Sequence, residues 1–315
     1  MRLGFVVKTL ARPEIRSHDS RRWQNHPHLS VSLAYLRDVF TYLGAAHIGM
    51  YRMSSDLAPY ATHPDMPQFH DQVAECEAEL AEAGALAGRL RLRLSFHASQ
   101  HVVLNSPAED LAAKSAADLI VQAAILDSMG LGPEAVVVTH MGGVYGDRES
   151  ARSRFVAGFE RLPEAARRRL ALENDDVRFG VVDTLWVHDR TGVPLIFDNL
   201  HHRLHNSDGR TPRDALAACL ATWPRGVRPK IHFSSPRTEW LIEAGASGAA
   251  PTVRQTRWAY HADYVNPFEF IDFMRTVAGL PEFDVMLEVR AKDLALLQLR
   301  DDLKRFAPDL AEPDF

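Results

Sequence analysis

The sequence predicts a single-domain α/β fold, a (β/α)8 TIM barrel over residues 1–315, with its chemistry at the carboxyl ends of the strands. Three observations carry that expectation. Short apolar runs alternate with amphipathic stretches along the whole chain, eight of each, which is the count for such a barrel. The apolar runs are continuous, as in strands buried on both faces of a parallel sheet. Most of them stop at a histidine or an acid, where parallel barrels hold their functional groups. A doubly wound open sheet is the structural rival, but no glycine-rich phosphate fingerprint follows the first strand.

The first strand, Leu3–Val7, leads into Ala11–Pro27, a long loop rich in charge, His and Arg. Helix Leu29–Leu43, strand His47–Tyr51, helix Gln68–Ala87 and strand Leu92–Phe96 follow. In Ser106-Pro107-Ala108-Glu109 a Ser N-cap precedes Pro at the first helical position, opening helix Glu109–Met129;. Strand Ala135–Thr139, helix Glu149–Arg161, strand Arg169–Leu172 and helix Val177–Asp189 continue the alternation. The sixth strand, Leu195–Phe197, lies in Val193–His202, where an apolar run meets Asp198 and then two histidines. Helix Pro212–Ala221 and strand Pro229–Phe233 precede a second long connection, Ser234–Asp263, which holds Gly245-Ala246-Ser247-Gly248 and several arginines. Helix Pro267–Val277, strand Phe283–Leu287 and helix Asp293–Phe306 complete the set. Long loops after barrel strands usually build the substrate face, although both long loops also read as mobile surface.

Composition narrows the function classes. The chain is 46% hydrophobic, enough for a sizeable core, and no apolar run approaches the roughly 20 residues of a membrane span;. Met1–Val7 is too short an apolar run for a signal peptide;. Cys76 and Cys219 are isolated and lack metal or redox spacing, so a reducing cytoplasm is expected;. A net charge of −5 argues against a broad basic surface for nucleic acid, while 36 Lys and Arg leave room for a local basic groove;. Fifteen histidines are many for this length, and histidine is the commonest transition-metal ligand.

Their placement is the main signal. His63 follows the second strand, His97 ends the third, His140 the fourth and Glu173 the fifth. The sixth supplies Asp198 and His201, the seventh Lys230 and His232, the eighth Glu288, and His261 lies in the loop after the seventh. Taken singly, each reads more simply as a hydrogen-bonded rim residue. A barrel brings all its strand ends into one ring, so independent accidents would have to coincide. Imidazoles mixed with carboxylates suit Mn, Zn or Fe better than Ca or Mg. Nine candidate ligands exceed the needs of one ion and suggest two or three. Lys230 shares its direction with His232 by strand alternation;. A lysine pressed among cations should have a lowered pKa, and its neutral amine could be carboxylated; the alternative is an ordinary lysine that contacts phosphate. Clustered ions lower the pKa of bound water and stabilise charge on attacking and leaving oxygens, which suits phosphodiester hydrolysis. Sugar isomerisation on a two-metal barrel is the alternative, and a damage-binding protein without turnover is the third reading.

Several motifs occur in one order: Tyr51-Arg52-Met53-Ser54-Ser55, Thr62-His63-Pro64, Ser95-Phe96-His97, Gly142-Gly143-Val144-Tyr145-Gly146-Asp147, Leu172-Glu173-Asn174-Asp175-Asp176, Phe197-Asp198-Asn199-Leu200-His201-His202, Pro229-Lys230-Ile231-His232-Phe233 and His261-Ala262-Asp263. Together, from Leu3 to about Leu299, they resemble the UV damage endonuclease family. The resemblance implies a metal-dependent enzyme that cuts double-stranded DNA immediately 5′ to cyclobutane pyrimidine dimers and 6-4 photoproducts. It implies metal ligands at His63, His97, His140, Glu173, Asp198, His201, His232, His261 and Glu288, with Mn the usual ion and Zn, Co or Mg the alternatives. It places a carboxylated lysine at Lys230, which with Glu173 and His232 forms the expected catalytic group. It assigns Gln100-His101 to a wedge that enters the duplex while the damaged dinucleotide flips out. Lys8, Tyr145, Arg52, Arg148 and Arg237 are candidate phosphate contacts, although solvated-surface roles suit the arginines equally. The chain departs from the family pattern at Lys8-Thr9, Ala98-Ser99, His101 and Glu288-Val289-Arg290, so wedge strength and lesion range are open. No nucleotide cofactor or membrane is expected, and a cytoplasmic, nucleoid-associated monomer is.

Overall fold

The computed structural model describes residues 1–243 and 251–311; the Gly245–Gly248 run lies outside them. Strands β1 (Leu3–Val6), β2 (Met50–Arg52), β3 (Arg93–His97), β4 (Val137–His140), β5 (Leu170–Glu173), β6 (Leu195–Ile196) and β7 (Lys230–Phe233) are followed by an antiparallel hairpin, β8 (Trp240–Glu243) and β9 (Thr252–Gln255), and by β10 (Asp284–Leu287). Eight of these pair in the order β6-β5-β4-β3-β2-β1-β10-β7, all parallel. Between β6 and β7 a parallel bridge joins Asp198 to His232, and the His232 N–H donates to Phe197 O at 2.9 Å. That contact closes the ring and makes the (β/α)8 barrel.

The helices are α1 (Leu29–Ala45), α2 (Gln72–Glu75), α3 (Glu77–Arg89), α4 (Glu109–Ser128), α5 (Arg148–Arg161), α6 (Glu164–Arg169), α7 (Val181–Thr191), α8 (Asn199–Leu204), α9 (Pro212–Leu220), α10 (Pro267–Thr276) and α11 (Lys292–Phe306). Three expectations need correction. The helix expected over Gln68–Ala87 is a 3-10 turn at Pro67–Phe69 and then α2 and α3, broken at Cys76. Buried Gln72 spends its amide on Pro59 O, Phe69 O and the Leu29 N–H, pinning a corner that periodicity cannot register. Ser106 does not cap α4: its hydroxyl accepts the Ala108 N–H in a turn, and α4 starts at Glu109. Likewise α7 starts at Val181, because Asp175 Oδ1 accepts the Val177 N–H in a preceding turn.

Alternation along the strands separates two cores. Phe5, Tyr51, Leu94, Phe96, Leu172, Phe197, Ile231, Phe233 and Leu287 point outward into the layer shared with the helices. Inside the barrel lie smaller clusters, Val136, Val138, Ala171 and Ile196 with Trp223, and Val6 with Met50 and Met286. Gly4 belongs to this crowded interior, where a Cβ would meet Met50 O at 2.8 Å. The amino end is closed by an ion pair. Fully buried Arg93 places Nη1 2.9 Å from Asp284 Oδ2 and 3.0 Å from Pro229 O, with its guanidinium 5.6 Å from the Trp223 ring. A buried pair of this kind resists removal of either partner, which would cost about 3–5 kcal/mol. This pair closes the amino end of the barrel, opposite the strand ends that carry His97, His140 and Glu173.

Candidate metal centre

His97, His140 and Glu173 are the final residues of β3, β4 and β5, and β4–β5 register sets His140 beside Glu173. Glu173 is the hub. One of its oxygens, Oε2, lies 2.9 Å from His97 Nε2 and 3.7 Å from His140 Nε2; the other, Oε1, lies 3.0 Å from His232 Nδ1 and 3.4 Å from His201 Nδ1. His232 Nδ1 is also 3.0 Å from Glu288 Oε1. Two sets of ligand atoms result, each within 4.8 Å of one another: His97, Glu173, His232 and Glu288, and His140, Glu173 and His201. Glu173 belongs to both.

The unsatisfied atoms test whether cations fit. Glu173 Oε1, Asp198 Oδ2, His140 Nδ1 and both ring nitrogens of His232 are buried without a hydrogen-bond partner. His232 Nδ1 is close to two carboxylates yet aligned for a hydrogen bond to neither. Buried polar groups are seldom orphaned, and a divalent ion beside Glu173 Oε1 and His232 Nδ1 would satisfy both, so the donor set fits a cation;. Neighbouring groups also orient the rings. His97 Nδ1 pairs with Ala98 O at 2.8 Å, which turns Nε2 toward Glu173, and His201 Nδ1, 3.4 Å from Glu173 Oε1, also pairs with Asn174 O at 2.9 Å;.

Charge around the hub follows from this packing. Burial alone would raise the Glu173 pKa, but the imidazoles of His232 and His140 outweigh it and hold the carboxyl well below its usual range. Burial also opposes ionisation of Glu288, and the Arg52 guanidinium bonded to it, with His232, keeps it ionised. For His201, burial is overcome by Asp198 and Glu173, and its pKa is pushed up to about 11. Burial lowers the His140 pKa and raises that of Asp198. Lys230 is wholly buried, its Nζ donating to Ser95 Oγ at 2.8 Å. Burial, with Arg93 beneath and Arg52 above, depresses its pKa far below the ordinary lysine value.

Other candidate residues lie outside the two ligand sets. The Asp198 Oδ1 accepts the His201 N–H at the start of α8 and lies 3.8 Å from His201 Nδ1. His261 sits alongside, its ring 6.2 Å from that of His201. His63 is outside both ligand sets, on the wall of a cavity of about 540 Å³ bounded by the loops after β1 and β2 and by α4. Gln100, His101, Lys8 and Tyr145 are exposed. Arg148 is bound to Asp183 at 2.8 Å and Arg237 lies 3.5 Å from Glu239, so each has a structural partner.

A model of the UV-endonuclease UvdE family matches residues 5–310. The chain belongs to that family. It is 34% identical over 280 residues to the UV DNA damage endonuclease of Bacillus velezensis, covering 87% of this chain and 82% of that protein. The corresponding enzyme of Bacillus pumilus is also 34% identical, over 264 residues. Among solved structures, SacUVDE superposes with a TM-score of 0.81 at 30% identity, covering 97% of this chain and 98% of that one. A D-psicose 3-epimerase from Clostridium cellulolyticum H10, at TM-score 0.56 and 11% identity over 99% of this chain, shares the fold alone. Membership of the endonuclease family leaves the sugar-isomerase alternative unfavoured.

Sequence reasoning missed three supporting residues. Asn174 holds the Asp198 backbone from both sides, accepting its N–H at 2.9 Å and donating to its carbonyl at 3.2 Å. Ser95 is the partner of Lys230. Asn105, fully buried, donates to Gly143 O at 2.7 Å and receives Arg154 Nε on its own carbonyl at 2.8 Å. It thereby ties the Gln100-His101 loop to the loop of Tyr145. Gly142 (φ +107°) permits this approach, since a Cβ there would stand 2.3 Å from Asn105 Oδ1. Both Asn174 and Ser95 lie within the family motifs, yet nothing in their spacing announces a role.

Proposed function

We propose that this chain is a metal-dependent DNA repair endonuclease that nicks the backbone immediately 5′ to UV photoproducts, cyclobutane dimers and 6-4 lesions among them. The observation that carries the reading is the carboxylate of Glu173 shared by four imidazoles at the mouth of a barrel, surrounded by buried polar atoms without partners. Two or three divalent ions, Mn first among them, would be held by His97, His140, Glu173, Asp198, His201, His232 and Glu288, with His261 and His63 as outlying ligands. Such ions, when bound, supply Lewis acidity toward a phosphodiester and acidify water.

The chain's own residues do the rest. Glu173 and Glu288 stay ionised and fix the imidazoles; Arg52 holds Glu288 in place and offers a guanidinium at the edge of the pocket. The depressed pKa of Lys230 supports a neutral amine. That amine can add to carbon dioxide, releasing one proton and leaving a carbamate anion at Nζ. Gln100-His101 enters the duplex as the wedge, while Lys8 and Tyr145 meet phosphates. Flipping is cheapest where stacking is already impaired, so a pocket at the barrel mouth selects distorted DNA. The enzyme acts as a cytoplasmic, nucleoid-associated monomer.

The test is nicking of supercoiled plasmid. Purified protein with Mn should relax UV-irradiated plasmid, leave unirradiated plasmid intact and stop on chelation. Retention of irradiated plasmid without nicking would leave a binding protein, and nicking indifferent to irradiation would remove the lesion specificity.

A further inference from the structure

The β8–β9 hairpin is unexplained by the metal centre, and its surface is unusual. Its register pairs Trp240 with Gln255 and Ile242 with Val253, so Trp240, Ile242 and Val253 share one face. These three are 62%, 73% and 60% exposed. Trp258, Tyr260 and Tyr264, just beyond β9, are also exposed. An isolated two-stranded ribbon is marginal in water, and one showing an apolar face, with neither edge paired to another strand among the described residues, needs a partner;.

Its anchoring says which partner. Pro236 and His261 form an antiparallel bridge, Arg237 N–H donates to Tyr260 O at 2.6 Å, and Ala262 N–H donates to Ser235 O at 2.9 Å. The Thr256 hydroxyl lies 2.9 and 3.0 Å from the Arg237 and Glu239 carbonyls. The ribbon therefore rises from the rim of the metal centre, with His261 in its base. In ring order β7 is four strands from β3, so hairpin and Gln100-His101 loop stand on opposite sides of the mouth, with Glu173 between them. Arg257, just beyond β9, adds an exposed guanidinium group and makes no ion pair among the described residues. An apolar and aromatic face on a two-stranded ribbon, with an arginine at its base, is suited to a DNA groove.

We propose that the β8–β9 hairpin is a second DNA-contacting element, which lays its Trp240–Ile242–Val253 face against the duplex arm on the β7 side of the lesion. The inference rests on the endonuclease reading, since it requires DNA across the barrel mouth. It adds a contact to undamaged duplex that contributes affinity through the length of DNA engaged.

The experiment measures binding by Mn-loaded protein to labelled duplexes carrying one cyclobutane dimer, the phosphate 5′ to it replaced by an uncleavable methylphosphonate. One duplex has arms of about one helical turn on both sides; two others have one arm trimmed, 5′ or 3′. Wild-type protein should lose about tenfold in affinity when one particular arm is trimmed. The Trp240→Ser/Ile242→Ser double variant should bind the long duplex about tenfold more weakly than wild type. It should match wild type on the duplex lacking that arm. Ile120→Ser, an exposed apolar change on α4, serves as the control and should leave arm dependence intact. Wild-type affinity in the double variant on every duplex overturns the proposal, as does an equal loss on all three. A wild-type dimer that the double variant dissolves overturns it too, by showing that a second copy covers the ribbon. Wild-type protein that fails to nick irradiated plasmid removes the endonuclease reading and this inference with it; nicking with no arm dependence removes the inference alone.

Discussion

Replacing Glu173 with Gln removes one charge from the only carboxylate common to both ligand sets among the described residues. The side chain keeps its size, so the barrel should still close. The consequences differ with and without metal. In metal-free protein Glu173 compensates imidazoles at 2.9, 3.0, 3.4 and 3.7 Å. In metal-loaded protein it would contribute to both candidate ion sites, and loss of a shared anionic ligand should weaken binding by at least about 100-fold, near 3 kcal/mol;. Ligand binding stabilises the folded state in proportion to the logarithm of affinity, so the thermal stabilisation from a fixed excess of Mn should shrink by that amount. For a chain of 315 residues this is about 4–5 °C. Plasmid nicking should fall by about 1,000-fold or more, as when a group acting directly on the reacting charge is lost. Differential scanning fluorimetry with and without Mn, elemental analysis and nicking form one experiment. Wild-type metal content and wild-type nicking in Glu173→Gln would refute the shared-carboxylate reasoning; lost nicking with unchanged Mn stabilisation would refute its metal-binding half.

Four further expectations follow from particular contacts. His201, with a pKa raised to about 11 from 6.5, contributes stability to the metal-free protein below pH 6.5 that is lost as pH rises through the higher value. Its proton must leave before Mn binds, so apparent affinity should rise about tenfold per pH unit between about pH 7 and 9, and calorimetry in buffers of different ionisation heat should detect proton release. Ser95→Ala strips Lys230 Nζ of its 2.8 Å partner and should cost about 1–3 kcal/mol in chemical denaturation; an unchanged midpoint would show that the amine finds another partner. Asn105→Ala breaks the link between the Gln100-His101 and Tyr145 loops and should raise KM for irradiated DNA several-fold more than it lowers kcat, with Asn105→Asp restoring little because it cannot donate to Gly143 O. His101→Ala should reduce the preference for damaged over undamaged duplex more than it slows single-turnover nicking, and equal preference would remove the wedge assignment.

Much of the centre was legible because strand-end composition is a local signal. His97, His140 and Glu173 close apolar runs in the sequence and close β3, β4 and β5 in the fold. The alternation Lys230-Ile231-His232 likewise separated interior from exterior correctly, since Ile231 joins the outer core while its neighbours are buried inside the barrel. Helix starts at Glu109 and Val181 were less legible, because a Ser or Asp turn offers the backbone the same hydrogen bond as a cap. The break at Cys76 depends on Gln72 reaching across to Pro59 and Leu29, contacts invisible to periodicity.

By itself the sequence determined the alternation of strand and helix, the ring of histidines and acids at the strand ends and the family to which the chain belongs. These are written in residue types at fixed spacing, and spacing survives in one dimension. Only the tertiary structure decided that Glu173 is the hub, that His63 stands apart, that Arg93 and Arg52 bracket Lys230, and that a bare ribbon rises beside His261. Each of those facts is a distance between residues remote in the chain, set when β6 and β7 meet and the barrel closes.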